Sequence, residues 1–170
     1  KVCENVNFTV TEGDRISLSG KNGCGKSSIL KLLCGESISH TGNIFMNNQL
    51  KISYVQQNTE NLSGSLSGYA KEYDIDLSLY LAILRKLDFS RTQFEKNIEE
   101  FSEGQKKKVL IARSLSEKAH LYIWDEPLNF IDVISRIQIE SLILEYKPTL
   151  LFVEHDNAFC SNIATKTVCL

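Results

Sequence analysis

The residues from Gly20 to Ser27 read Gly-Lys-Asn-Gly-Cys-Gly-Lys-Ser, a glycine-rich run that ends in a lysine and a hydroxyl. Glycines let backbone amides turn inward and approach phosphate oxygens closely, and a helix that follows adds the positive end of its dipole. The spacing matches the loop that binds nucleotide phosphates, in which Lys26 neutralises the β- and γ-phosphates and Ser27 ligates Mg²⁺. A glycine turn that precedes a helix by chance is the alternative. The residues predicted to contact the nucleotide here are Gly20, Asn22, Gly23, Cys24, Gly25, Lys26, Ser27 and Ser28.

Two carboxylates end a short apolar run, Leu121–Glu126. Such a run suits a buried strand of a parallel sheet. Asp125 is predicted to hold Mg²⁺, usually through a water molecule, and Glu126 to act as the general base on an attacking water. The alternative is that these carboxylates merely open a loop before Pro127.

A third pattern is Ser102-Glu103-Gly104-Gln105, followed by three lysines. It fits a capping box, in which Ser102 caps the helix and Gln105 bonds back to it. Three lysines in the first turn place positive charge at the positive end of the helix dipole. A bound anion would be favoured there, so a second phosphate site is one interpretation. Lysines that point into solvent are the other.

The spacing of apolar residues predicts the elements that must position these motifs. Strands are predicted at Arg15–Ser19, Leu50–Val55, Leu121–Trp124 and Thr149–Val153. Two further segments, Asn5–Val10 and Ile44–Met46, are predicted to form hairpins with Arg15–Ser19 and with Leu50–Val55, the second turning at Asn47-Asn48. Helices are predicted at 26–33, 76–87, 91–100, 102–116 and 134–146, with a polar loop over residues 56–68. Their order indicates an α/β core, residues 1–58 and 117–170, with a helical subdomain at about 59–116.

Composition bounds the class of protein. The 170 residues fit one domain, 42% are hydrophobic and 24% charged, and the net charge of −2 gives no general case for binding nucleic acid or membranes. The five cysteines have irregular spacing, which indicates free thiols in a reducing compartment. The apolar runs are far shorter than the ~20 residues that span a bilayer. We therefore expect a cytoplasmic protein without direct membrane insertion.

Taken together, these motifs resemble the nucleotide-binding domain of ABC ATPases over essentially the whole chain. The usual signature of that family is Leu-Ser-Gly-Gly-Gln, and here it is Phe101-Ser102-Glu103-Gly104-Gln105. The resemblance implies a P-loop NTPase fold of the ABC type, with a core sheet, an antiparallel β element and a helical subdomain. It also implies a Q-loop glutamine at Gln57, with Gln56 as the less favoured choice, that senses Mg²⁺ and the attacking water. The remaining implied nucleotide contacts are the switch histidine His155, the D-loop residue Asp132, and the signature residues Ser102, Gly104 and Gln105.

The resemblance extends to one class of the family. The run Glu126–Asp132, Glu-Pro-Leu-Asn-Phe-Ile-Asp, resembles the Glu-Pro-Thr-Asn-His-Leu-Asp run of ABC-F proteins. Residues 101–108 are similar to the second ATPase domain of ABC-F antibiotic-resistance proteins, which protect ribosomes from lincosamides, streptogramin A and pleuromutilins. Such a protein is implied to bind ATP and Mg²⁺ between two domains paired head to tail, in one polypeptide or as a homodimer, and to act on the ribosome.

Two alternatives remain open. The chain could be the ATPase subunit of a membrane transporter, or a clamp half that binds ATP with little hydrolysis, because Glu103 replaces a glycine of the signature. The family also has an aromatic residue upstream that stacks on adenine, and nothing precedes Lys1. We therefore expect a fragment whose ATPase activity is weak in isolation.

Overall fold

The computed structural model describes residues 3–170, which group into two compact units. The first unit contains the chain up to Tyr54 together with Ala119–Glu126 and Lys147–Leu170. The second contains Val55–Lys118 and Pro127–Tyr146. Each unit is therefore assembled from segments that are distant in sequence.

Residues 3–170 contain five strands and six α-helices. In order, they are β1 (Arg15–Ser19), α1 (Lys26–Leu33), β2 (Ile52–Val55), α2 (Leu66–Glu72), α3 (Leu77–Lys86), α4 (Glu103–Ser116), β3 (Leu121–Asp125), α5 (Val133–Tyr146), β4 (Leu150–Val153), α6 (Asn157–Ile163) and β5 (Lys166–Cys169). Two short 3₁₀ helices, Arg91–Glu95 and Ile98–Glu100, lie between α3 and α4.

The strands form one sheet in the order β2-β3-β4-β1-β5. β4 pairs in parallel with β3 and with β1, and β1 pairs in parallel with β5. The register places Ile123 and Ile16 opposite Leu151 on either side. All four residues of β4 are buried, as expected for a central strand of a parallel sheet.

The core of the first unit fixes α1 beside this sheet. Its buried members are Ile16, Leu18, Leu30, Leu121, Ile123, Leu151 and Val153. Leu30 is the contribution of α1, and its side chain is 0% exposed. Because β1, β3 and β4 run parallel, the residues that follow them meet at one edge of the sheet, the usual place for a ligand in this kind of fold.

In the second unit, α3 packs against α4. Tyr80, Ile83 and Leu84 are the buried residues of α3. The Arg113 guanidinium of α4 lies 4.7 Å from the centre of the Tyr73 ring and its Nη1 is 2.9 Å from a Glu117 oxygen. These contacts make the helical unit a packed body in its own right. No helix within residues 3–170 is both long enough and apolar enough to cross a membrane.

Several predicted elements are confirmed, and others are corrected. The strand Arg15–Ser19 and the helix Lys26–Leu33 have the predicted bounds. The helix predicted at 91–100 is instead two 3₁₀ helices, because Lys96 and Asn97 between them have extended backbone and Asn97 starts a new capping box with Glu100. The elements α2, α6 and β5 were not predicted; α2 begins at Leu66, inside the predicted loop.

Two predicted strands are wrong. Asn5–Val10 and Ile44–Met46 form no strand. The tight turn of the second hairpin does exist, since the Leu50 amide donates to the Asn47 carbonyl at 3.0 Å, but the ladder is missing. The side chain of Phe45 is 91% exposed, so the apolar run there is not buried against a layer, and a hairpin without one is marginal. Among the described residues, the assigned antiparallel pairing is an isolated bridge between Ser65 and Asn97, so the antiparallel β element is not confirmed.

Candidate nucleotide-binding site

The glycine-rich loop joins β1 to α1 and closes around its own lysine. Lys26 Nζ donates to the carbonyls of Gly20 at 2.8 Å and Lys21 at 3.1 Å. The φ angles of Gly23 and Gly25 are +77° and +100°, a left-handed region that favours glycine. The loop thereby wraps around Lys26, which is 7% exposed, and holds its positive charge within the loop.

The loop borders an open depression of about 250 Å³. The residues that line it are Asn22, Gly23, Gly25, Lys26, Ser27, Ser28 and Glu126. Gly25 caps α1 without any side-chain hydrogen bond, so the first amides of that helix are left for another acceptor. The predicted residues Gly20 and Cys24 are not among the lining residues, although Cys24 stands between Gly23 and Gly25, which are; a Cβ on Gly20 would meet Cys24 Sγ.

A hydroxyl and a carboxylate meet beside the loop. Ser27 Oγ donates to Asp125 Oδ1 at 3.1 Å, and Asp125 is 1% exposed at the end of β3. Oxygen ligands suit Mg²⁺, which is commonly held by one or two protein groups together with phosphates and water. Ser27 and Asp125 therefore fit the predicted metal site as a partial ligand set.

The predicted base and the switch histidine are also brought together. Glu126 follows β3 and His155 follows β4, and His155 Nε2 lies 3.3 Å from Glu126 Oε1. The Glu126 amide donates to the Val153 carbonyl at 2.9 Å, which fixes the backbone at this edge. Glu126 has a φ of +48°, an uncommon value for a non-glycine residue, and such strain concentrates at functional sites. The first unit thus gathers Lys26, Ser27, Asp125, Glu126 and His155.

The signature motif lies in the second unit, at the start of α4. The capping box is confirmed: Ser102 Oγ accepts from the Gln105 amide at 3.3 Å, and Gln105 Oε1 accepts from the Ser102 amide at 3.0 Å. Gly104 lies against the D-loop, the segment between β3 and α5 that contains Phe130 and Asp132. A Cβ added to Gly104 would collide with the Phe130 carbonyl oxygen. Ser102 and Gln105 therefore have a structural role at the helix terminus, whatever they contact in addition.

The three lysines after the signature are engaged within the unit. Lys106 Nζ lies 3.2 Å from Glu103, Lys107 Nζ donates to the Gln56 carbonyl at 2.9 Å, and Lys108 Nζ lies 3.0 Å from Asp132. Their ammonium groups thus contact protein partners instead of simply pointing into solvent, and the second phosphate site stays a prediction.

The other predicted residues of the second unit are Gln57 and Asp132. Gln57 is exposed in the loop after β2. Asp132 accepts from the Ser135 amide and hydroxyl, both at 2.8 Å, at the start of α5. The Ser135 amide is the main cause that holds the pKa of Asp132 well below its usual range, and Lys108 adds to it. Asp132 therefore organises the start of α5 within this unit.

One contact of the signature residue Glu103 was not predicted from the sequence. The Thr59 hydroxyl donates to the Glu103 carboxylate, and Thr59 is 3% exposed. No local pattern marks Thr59, because its partner is 44 residues away in the chain.

Comparison with known proteins decides the family. The family model described as ABC transporter matches residues 3–129. The chain belongs to this family. It is an α/β ATPase domain of the P-loop ABC type, and such domains bind ATP.

Curated relatives and solved structures agree with this assignment. The chain is 32% identical to the ATP-binding protein Uup of Buchnera aphidicola subsp. Acyrthosiphon pisum over 97% of its length and 29% of that protein. It is 31% identical to Uup of Escherichia coli K12 over 98% of its length and 27% of that protein. It thus spans under a third of these curated relatives. The dimeric structure of MJ0796, a bacterial ABC transporter cassette, superposes with a TM-score of 0.82 at 21% identity, covering 99% of this chain and 86% of that one.

Proposed function

We propose that this domain hydrolyses ATP as one half of a head-to-tail pair of ABC-F type domains. The observation that carries the proposal is the meeting of Ser27 with Asp125 and of Glu126 with His155 at the edge that holds the phosphate loop. A base, a metal-binding pair and a lysine cradle on one sheet edge are the parts that hydrolysis of a nucleoside triphosphate requires.

Each residue of the first unit has a distinct task in this reaction. Lys26 offsets the charge of the β- and γ-phosphates, and Ser27 with Asp125 would hold Mg²⁺, which neutralises charge that develops on the phosphates. Glu126 accepts a proton from the attacking water. His155 Nε2 lies 3.3 Å from Glu126 Oε1 and orients that carboxylate, and the family resemblance assigns to His155 a contact with the γ-phosphate.

The second half of each site would come from another domain. The signature residues Ser102 and Gly104 lie in the second unit, and the family resemblance assigns them to the partner's γ-phosphate. The partner would be a second ATPase domain of the same polypeptide or another copy. Closure over ATP and reopening after hydrolysis would then be the mechanical output.

The ABC-F class rests on the run Glu126–Asp132 and on the signature stretch. It leads us to propose a translation or antibiotic-resistance factor that works on the ribosome in the cytoplasm. The free state of all five cysteines is compatible with a reducing compartment. Sedimentation of the intact protein with ribosomes in the presence of ATP tests this class. Recovery of a partner with transmembrane helices, and no ribosomes, would favour a transporter subunit instead.

The assignment of Glu126 as the base is tested by Glu126→Gln in the intact protein. Loss of the base should lower turnover about 10²- to 10⁴-fold while ATP binding persists, so that ATP is trapped. Phosphate release and retained radiolabelled ATP would be measured together, with the exposed Glu12→Gln as the matched control. Unchanged turnover in Glu126→Gln would contradict the assignment.

A clamp half that binds ATP with little hydrolysis is the second candidate, favoured by Glu103 in the signature. Phosphate release measured separately at each of the two composite sites distinguishes it from the first. The contacts of Glu103 itself point to a different role.

A further inference from the structure

The first turn of α4 contacts the loop that carries Gln57 at two points. Lys107 is 1% exposed, and its Nζ donates to the Gln56 carbonyl at 2.9 Å. The buried Thr59 donates its hydroxyl to the carboxylate of Glu103. The contact at Gln56 is immediately before Gln57 in the chain, and the contact at Thr59 is two residues after Gln57.

The loop itself is compact on the Thr59 side. The Glu60 amide donates to Asn58 Oδ1 at 2.8 Å, and the Leu62 amide donates to the Thr59 carbonyl at 3.3 Å. Leu62 is 7% exposed. Movement of Thr59 would therefore carry its neighbours with it.

Glu103 is held on this loop as a charged group. The hydrogen bond from Thr59 is the main cause that lowers the pKa of Glu103, and Lys106 is the second. Lys106 Nζ lies 3.2 Å from its other oxygen. Both carboxylate oxygens thus have partners inside the second unit. A glycine, the usual residue at this place in the signature, has no side chain that could make either contact.

We propose that Glu103 is a positioning residue for Gln57: through Thr59 it holds the loop on α4, so that Gln57 and Ser102 move as one body. The proposal rests on the proposed function, because the role of Gln57 belongs to it. The alternative is repulsion, in which the Glu103 carboxylate, placed where the signature usually has a glycine, repels the phosphates of ATP. With positioning, hydrolysis, rather than ATP affinity, is the quantity that Glu103 supports.

Amide hydrogen exchange of the nucleotide-free intact protein tests the contact without any assumption about activity. Glu103→Ala and Thr59→Val should each raise the exchange rate of residues 56–62 roughly threefold to tenfold, since the hydrogen bond is charged but partly exposed. The double variant should exchange no faster than either single one, because both remove the same contact. Glu103→Gln and Thr59→Ser keep an acceptor and a donor, and should exchange like the wild type. Unchanged exchange in Glu103→Ala or Thr59→Val, or additive effects, would overturn the proposal.

Kinetics of the same variants separate positioning from repulsion. With positioning, Glu103→Ala and Thr59→Val lower kcat about tenfold with little change in KM, and Glu103→Gln restores kcat. With repulsion, Glu103→Gln binds ATP more tightly than the wild type and Thr59→Val has no effect, which would refute positioning. If the protein proves to have no ATPase activity, the proposed function fails, while the exchange result still decides whether the contact exists.

Discussion

Gly104 illustrates what a single residue contributes here. Its side-chain position is taken by the carbonyl oxygen of Phe130, so a glycine is required by the packing of the D-loop on α4. Phe130 has a φ of +65°, and its side chain is 75% exposed. The signature glycine therefore has a reason within its own unit, in addition to any contact with a nucleotide.

Replacing Gly104 with Ala should destabilise the protein by about 1–3 kcal/mol, because the added methyl group forces the D-loop backbone away. Urea unfolding followed by circular dichroism would measure the loss. Gly68→Ala is the matched control, since its added Cβ would meet a side-chain atom, Ser65 Oγ, at 3.1 Å and not a backbone carbonyl. That variant should be neutral or stabilising by up to ~1 kcal/mol, as alanine favours a helix. Equal destabilisation by both variants would contradict this reading of Gly104.

Single residues also show where sequence reasoning reaches its limit. The loop Gly20–Ser27 and the carboxylates Asp125 and Glu126 were predictable, because each motif is contiguous and its chemistry depends on residue type. The contact between Thr59 and Glu103 was not, because it needs the three-dimensional path of two distant segments. The charge of the lysines after the signature is evident from the sequence, but the residues that their ammonium groups contact are not.

At the scale of secondary-structure elements, the edge strand β5 is joined to the start of β1 by an ion pair. Lys166 Nζ and Asp14 Oδ2 are 2.8 Å apart, and the same oxygen accepts from the Thr11 amide and hydroxyl. The hydrogen bond from Lys166 is the main cause that lowers the pKa of Asp14 from 3.8 to about 2, and Thr11 adds to it. This strand was not predicted from the sequence, since its residues Lys166–Cys169 are mostly exposed and lack a clear apolar alternation.

The lowered pKa predicts the sign of a pH effect. The folded state favours the charged form of Asp14, so its contribution is present above the unfolded pKa of 3.8 and is lost as the pH falls through about 2. Asp14→Asn should therefore be less stable than the wild type near pH 6, and the gap should narrow between pH 4 and 2. Chemical unfolding over that range would measure it, with Lys166→Met as a second variant that weakens the same contact. A gap that is independent of pH would argue against the ion pair as its cause.

Helices that bury one apolar face were predictable from the spacing of their apolar residues. Strands were predictable only where another element packs against them. α1 and β1 satisfy this, since both contribute to the core of the first unit. Ile44–Met46 has an apolar sequence but stays exposed, because no partner strand lies beside it among the described residues. The sequence shows which segments are apolar enough to be buried. Whether a segment is buried depends on the elements that pack beside it.

At the scale of the whole molecule, we propose that the loop Gly20–Ser27 binds the phosphates of ATP. Cys24 offers a direct probe, because its thiol is free, partly exposed and inside the loop. Cys34, at the far end of α1, interferes little, since burial raises its pKa to about 11 and keeps the thiol protonated.

The deciding measurement is the rate at which a thiol reagent modifies Cys24, followed by peptide mass spectrometry with and without saturating ATP and Mg²⁺. We predict that nucleotide slows modification of Cys24 at least about tenfold, and that Lys26→Ala abolishes this protection because its loop no longer holds the phosphates. An equal rate of Cys24 modification with and without ATP in the wild-type protein would contradict phosphate binding by this loop.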